Sequence, residues 1–213
     1  MTGTTVFHLV RHGQTDWNLT GRWQGHSDVP LNAQGRRQAE HLARRLARDG
    51  ARFDAFYASD LRRAWETAEI IGRAVGLRPV PTPALREIDL GTWAGKTREE
   101  IASGYPGLWE RALAGEDIPR GGGETFAALQ ARVAAWLEGA ADRHPGAVIC
   151  AVTHGGCIRS ILLHASGLTW TMREKIQPLS NASVTVVERR LNRWSILRIN
   201  DEESARPEDG DPA

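Results

Sequence analysis

Short apolar runs alternate with stripes of helical period along this chain, and no other feature constrains the fold as much. The alternation fits helices packed on a mainly parallel sheet and argues against a helical bundle or a β-sandwich. Val6 to Val10 is an apolar run that ends in Arg11-His12-Gly13, so it reads as a buried strand delivering a loop. Ala39, Leu42, Ala43 and Leu46 then form one helical stripe, with Gly50 as its stop. Phe53 to Ala58 reads as a second strand. Ser59 or Asp60 is expected to cap the next helix, whose stripe is Leu61, Ala64, Trp65, Ala68 and Ile71, with Gly76 beyond its end.

From Pro79 to Gly123 the pattern is irregular. This stretch holds five prolines, helical pieces near Thr97 to Ser103 and Pro106 to Ala114, and a Gly121-Gly122-Gly123 break. It reads as a small helical lid over one end of the sheet, with the glycines as a flexible link. Phe126, Leu129, Val133, Trp136, Leu137 and Ala140 mark an amphipathic helix. Ala147 to Val152 follows, an apolar run without alternation, as a central strand buried on both faces requires. Thr153-His154-Gly155-Gly156 closes that strand and opens another helix, and Val184 to Val187 with Trp194 to Ile199 reads as a terminal hairpin. The expected architecture is a three-layer α/β/α sandwich. Residues 1–200 form its single domain.

At 213 residues and 41% hydrophobic content, the chain is long enough to bury one core. No run approaches the roughly 20 apolar residues of a membrane span, and the start lacks a signal peptide's pattern, so a cytoplasmic location is expected. Cys150 and Cys157 have no paired spacing and read as buried apolar residues. The net charge of +1 divides unevenly, since residues 201–213 carry six acids and one arginine and leave +6 on residues 1–200. That acidic tail has almost nothing apolar to bury, so it is expected to be disordered. The basic body suits anionic ligands, but its arginines are spread along helices without clustered aromatics, which argues against nucleic acid as a partner.

Three strand ends deliver Arg11 with His12, Arg62, and His154, and open α/β sheets bind ligands at the carboxyl ends of their strands. Taken singly, each residue has a structural explanation as a cap or a solvated side chain. Together they fit the chemistry of a phosphate monoester. Its charge must be neutralised before phosphorus becomes electrophilic, and arginine's planar fork matches the oxygens in two-point geometry, as Arg11 and Arg62 would. A neutral imidazole, His12, attacks in line, while His154 and the amides that begin at Gly155 face the same anion. A carboxyl group must serve the leaving alkoxide and then water, and Glu87 is the best placed. The other histidines show no metal spacing and no aspartate pair suggests magnesium, so no metal and no cofactor is expected. Trp17, Trp23, Trp93 and Trp109 lie in segments near the expected pocket, as a wall for an organic leaving group or as core, whereas Trp65 and Trp136 sit on helical stripes and read as core.

Four segments resemble the signatures of the histidine phosphatase superfamily, the phosphoglycerate mutase-like branch, in its order and spacing. They are Leu9 to Asn18, Ser59 to Ala68, Leu85 to Gly95, and Val152 to Gly156. The resemblance runs from about Val6 to Ile199. It implies His12 as nucleophile, Arg11, Arg62 and His154 as phosphate ligands, and Glu87 as proton donor. It adds Asn18 to the phosphate pocket and Gln24 with Gly25 to the loop edging it. Within the family, only 27 residues separate Gly95 from Gly123, which is similar to the phosphatases and shorter than the insertion typical of cofactor-dependent mutases. The implied activity is metal-independent hydrolysis of a small phosphorylated metabolite. The alternatives are a phosphoglycerate mutase and a non-catalytic module that binds a phosphorylated ligand. A homodimer would use the edge offered by the terminal hairpin.

Overall fold

A computed structural model describes residues 3–201. Thr5–Arg11 forms β1, and Thr15 caps the single-turn α1, Asp16–Leu19, in a capping box with Asn18. Then follow α2 (Ala33–Arg48), β2 (Ala55–Ala58), α3 (Arg62–Val75) and the two-residue β3 (Val80–Pro81), which the sequence reading lacked. The irregular stretch contains α4 (Arg98–Gly104) and α5 (Pro106–Leu113) between 3-10 turns. The chain continues through α6 (Phe126–Arg143), β4 (Val148–Thr153), α7 (Gly155–Ala165), β5 (Val184–Arg190) and β6 (Arg193–Asp201).

The six strands lie in the order β3-β2-β4-β1-β5-β6. β1 to β4 run parallel, and the terminal hairpin β5-β6 joins antiparallel beside β1. β4 is central and buried on both sides, which is why its sequence does not alternate. Ile149 and Ala151 face a core built with Leu129, Val133, Leu137 and Ile158 of α6 and α7. Cys150 and Val152 face the opposite core, with Leu42 of α2 and Ala68 and Ile71 of α3. The result is the expected three-layer arrangement, with both cysteines fully buried. Among the described residues no helix is long and apolar enough to cross a membrane.

Three local readings change. Neither Ser59 nor Asp60 caps α3, because the Ser59 hydroxyl is bonded to His154 Nε2 (2.8 Å) and Asp60 is paired with Arg86 (2.7 Å). Leu61 is the capping residue, and Asp28 from a distant loop accepts the Arg62 N–H at 2.7 Å. The buried face of α3 is rotated, so that Arg63 and Thr67 point inward with Ala64, Ala68 and Ile71 while Trp65 is only half-buried. The Gly121–Gly123 stretch is a close-packed crossing. A Cβ on Gly123 would lie 2.3 Å from the Asp89 carbonyl oxygen, so the backbones themselves are in contact.

The irregular segment is no loose cover. Trp93 is fully buried among Leu85, Ile101 and Ile118, and Trp23, Tyr105 and Trp109 pack around its indole at ring-centroid separations of 6.2 to 6.4 Å. Burying an aromatic ring of this size anchors the segment to the α6-α7 layer. Asp201, assigned by sequence to the tail, closes β6 and pairs with the buried Arg45 at 3.2 Å. Residues 202–213, the rest of that expected disordered tail, lie outside the described residues.

Candidate active site

The carboxyl ends of β1 and β4 are adjacent, with Arg11 in register with Thr153. His12 and His154 therefore emerge side by side, their ring centroids 5.1 Å apart. A cleft of about 280 Å³ opens over His12, lined by Arg11, His12, Asn18, Gln24, Gly25 and Glu87 among others, while His154 is fully buried beside His12 and outside the lining. Among the described residues, five arginines, Arg11, Arg22, Arg63, Arg120 and Arg159, line it against the single acid Glu87. Such a lining favours an anion.

His12 is 3% exposed, and its Nδ1 lies 2.7 Å from the Gly13 carbonyl oxygen. A carbonyl only accepts, so Nδ1 carries the proton and Nε2 keeps its lone pair. Burial first, then the charges of Arg63 and Arg11, push the His12 pKa well below the usual histidine range. The imidazole is thus held neutral. His154 is fully buried and shifted the same way by burial and by Arg63. Its Nε2 meets Ser59, and its buried Nδ1 has no hydrogen-bond partner among the described residues.

Arg63 occupies the position expected of Arg62. Its guanidinium is fully buried and is held by the carbonyls of Ser27 and Gly25, both at 2.8 Å. Burial lowers its pKa to about 10, which still leaves it charged near neutrality. Arg62 lies outside the cleft, 58% exposed, and pairs with Glu66 one helical turn on. The phase of α3 decides between them, since Thr67, one turn after Arg63, accepts the Gly13 N–H at 3.1 Å and so faces the loop that carries His12. Arg11 donates from Nη1 to the Leu179 carbonyl, and its Nε, like that of Arg63, is buried without a partner among the described residues. Those are donors suited to phosphate oxygens.

The remaining expected residues converge. Asn18 Oδ1 accepts from the Thr15 N–H at 3.0 Å, which leaves its amide NH2 as the donor facing the cleft. Gln24 is 9% exposed with an unpartnered Oε1, and Gly25 edges the cleft while its carbonyl holds Arg63. Gly155 opens α7 beneath the Arg11 guanidinium, where a Cβ would lie 3.6 Å from Arg11 Nε. The Glu87 carboxylate accepts the N–H of Ile88 at 3.0 Å and of Gly156 at 3.1 Å. Its backbone carbonyl is gripped by His26 (2.8 Å) and Arg132 (3.3 Å), and Arg132 also forks onto Glu124 at 2.7 and 2.8 Å.

Of the four tryptophans near the pocket, only Trp23 lines it. Arg63, His26, Arg132 and Asn181 were not foreseen. Asn181 donates to the His12 carbonyl at 3.0 Å from a loop 169 residues away in sequence, a contact with no local signal.

The sequence model of the histidine phosphatase superfamily, branch 1, matches residues 7–202. The chain belongs to that family. This histidine phosphatase is 39% identical over 182 residues to phosphoglycerate mutase-like protein 4 of Arabidopsis thaliana, covering 84% of this chain and 76% of that protein. It is 38% identical over 196 residues to the metal-independent phosphoserine phosphatase of the same plant, covering 90% and 79%. Among solved structures, YhfR of Bacillus stearothermophilus superimposes with a TM-score of 0.85 at 31% identity, covering 94% of this chain and 98% of that one.

Proposed function

We propose that this histidine phosphatase hydrolyses small phosphomonoesters through a phosphohistidine on His12. The observation that carries the reading is the Nδ1 contact of His12 with the Gly13 carbonyl, which leaves a neutral Nε2 lone pair in a cleft rich in arginine. In the first step Nε2 attacks phosphorus while the bond from phosphorus to the leaving oxygen breaks. Arg11, Arg63, Asn18 and the His154 ring surround the phosphoryl oxygens and stabilise the charge that spreads over them. Glu87 gives its proton to the leaving alkoxide. In the second step the Glu87 carboxylate takes a proton from water, the hydroxyl oxygen bonds to phosphorus, and the phosphorus–nitrogen bond returns its electrons to Nε2.

The phosphate charge is met by guanidinium groups, so the scheme needs no metal. The similarity to the metal-independent phosphoserine phosphatase of Arabidopsis thaliana supports it. Rapid quenching with substrate at neutral or alkaline pH is expected to trap an acid-labile, base-stable phosphoprotein. His12→Ala is expected to lose both that label and turnover, and retained activity in it would overturn the assignment. Inorganic phosphate is the expected product from 3-phosphoglycerate. Isomerised phosphoglycerate without phosphate release would instead make the chain a mutase.

A further inference from the structure

The phosphoryl chemistry uses the floor of the cleft, yet three more arginines stand around its outer wall. Arg120 is 3% exposed and lies with its guanidinium carbon 4.6 Å from the centre of the Phe126 ring. Arg173 sits 5.2 Å from the same ring and 5.3 Å from Trp170, which stacks on Phe126. Arg159, on α7, faces the cleft with a buried Nε that has no partner among the described residues. Burial and the charge of Arg173 both hold Arg120 and Arg159 below the usual guanidinium range, although Asp117 counters this for Arg120 and Glu87 for Arg159.

Among the described residues, the acids near this wall are engaged elsewhere or exposed. Asp117 is engaged by the N–H groups of Phe126 and Ala127 at the start of α6, both at 2.8 Å. Glu87 is held by the Ile88 and Gly156 amides. Glu174, 4.0 Å from Arg173, is 88% exposed, so that pair is weak. Two like charges over one apolar ring, with Arg159 lining the same cleft, cost stability unless an anion meets them.

We propose that Arg120 and Arg159, with Arg173 behind them, form a second anion subsite that selects phosphomonoesters whose carbon skeleton carries a further anionic group, a carboxylate in the first instance. Arginine's fork matches a carboxylate in two-point geometry. A cleft of about 280 Å³ suits a small phosphorylated acid better than a bulky ester. The extension lined by Phe126, Arg159, Trp170 and Arg173 measures only about 20 Å³. That is room for about one water and too little for a carboxylate. The acid group therefore lies in the main cleft against Arg120 and Arg159, and Arg173 acts on it through space. Phe126 supports the carbon chain between the two anionic ends.

The inference rests on the phosphatase reading for its choice of substrates, and the test separates the two. Phosphate release is compared for 3-phosphoglycerate, glycerol 3-phosphate, which lacks the carboxylate, and propane-1,3-diol bisphosphate, which replaces it by a second phosphoryl group. The expected kcat/KM preference for the acid over glycerol 3-phosphate is at least about tenfold. Arg159→Gln is expected to bring that preference to within about threefold, chiefly through KM for the acid. Arg173→Gln is expected to reduce it less, and more at low than at high salt. A preference for the bisphosphate instead supports the subsite and assigns it a second phosphoryl group. Calorimetric binding of the same three compounds to His12→Ala, with and without Arg159→Gln, reads the subsite without turnover. Discrimination in binding with no phosphate released by the wild type sinks the phosphatase reading alone. Equal kcat/KM and equal affinity for all three compounds, or a preference unmoved by both substitutions, overturns the subsite.

Discussion

The Gly156 N–H donates to Glu87 Oε2 at 3.1 Å, and a Cβ on Gly156 would lie only 2.1 Å from Glu87 Oε1. The second glycine of the Thr-His-Gly-Gly segment therefore makes room for the carboxylate that closes the site. Glu87 hangs on its own neighbour's amide and on the first turn of α7, which fixes the carboxyl group at the edge of the cleft.

Gly156→Ala is expected to displace the Glu87 carboxylate and leave the rest of the cleft in place. An alkyl phosphate leaves as a strongly basic alkoxide and depends on general acid help, so its first-turnover rate should fall by about a hundredfold or more. A nitrophenolate leaves almost unaided. Burst kinetics with p-nitrophenyl phosphate should therefore show a much smaller loss, and equal losses for the two substrates would remove Glu87 from the acid's role.

Arg62 and Arg63 are neighbours in sequence with opposite fates, and substitution should separate them sharply. Arg62→Ala removes an exposed pair with Glu66 and is expected to change stability by no more than about 0.5 kcal/mol, with kcat/KM nearly unchanged. Arg63→Ala removes a buried charge from the cleft, one that in the proposed mechanism meets the transferring phosphoryl group. It should cost about 2.7 to 4 kcal/mol of transition-state stabilisation for every substrate, whatever the leaving group. Steady-state kinetics on an alkyl and an aryl phosphate checks both halves.

The same pair shows what a sequence can and cannot carry. The layers, the strand ends and the loops bearing His12 and His154 were legible, because burial on both faces of β4 writes an unbroken apolar run and helices write their period. The phase of α3 was misread because Trp65, a large apolar residue, suggested one face, whereas the helix buries Arg63 and Thr67 and leaves Trp65 half outside. A buried arginine leaves no hydrophobic signal. Thr67, four residues later on the same face, was the available clue. The grip of His26 and Arg132 on the Glu87 carbonyl joins segments 61 and 45 residues apart, and only the folded chain brings them together. The Gly121–Gly123 crossing has the same origin, since its constraint is a backbone contact with Asp89 and Leu90.

Exhaustive chelation is expected to leave phosphate release unchanged, since Arg11 and Arg63 stand where a cation would otherwise neutralise the phosphoryl oxygens. Loss of activity in chelator that magnesium, manganese or zinc restores would contradict the arginine clamp.

The final prediction concerns pH, because His12 and His154, and on the back face of the sheet His8, all have pKa values held below the ordinary histidine value of 6.5, in each case first by burial. A depressed His12 pKa keeps the nucleophile neutral in acid, so the acidic limb of kcat/KM should fall below pH 6.5. Stability follows by linkage. Between the folded and unfolded pKa values the unfolded chain binds more protons than the folded one, so unfolding becomes easier as pH falls. The stabilisation is fully present above about pH 6.5 and is lost progressively below it, toward the folded-state values, at up to about 1.4 kcal/mol per pH unit for each histidine that stays neutral in the fold. Urea unfolding at a series of pH values from 7.5 to 5 reads this directly. His8→Gln, away from the cleft, should flatten the slope by removing one of the three contributions while sparing the pH profile of kcat/KM. A stability that holds level or rises from pH 7 to 5 would mean that these imidazoles accept protons inside the fold, and that the nucleophile is not held neutral by its burial.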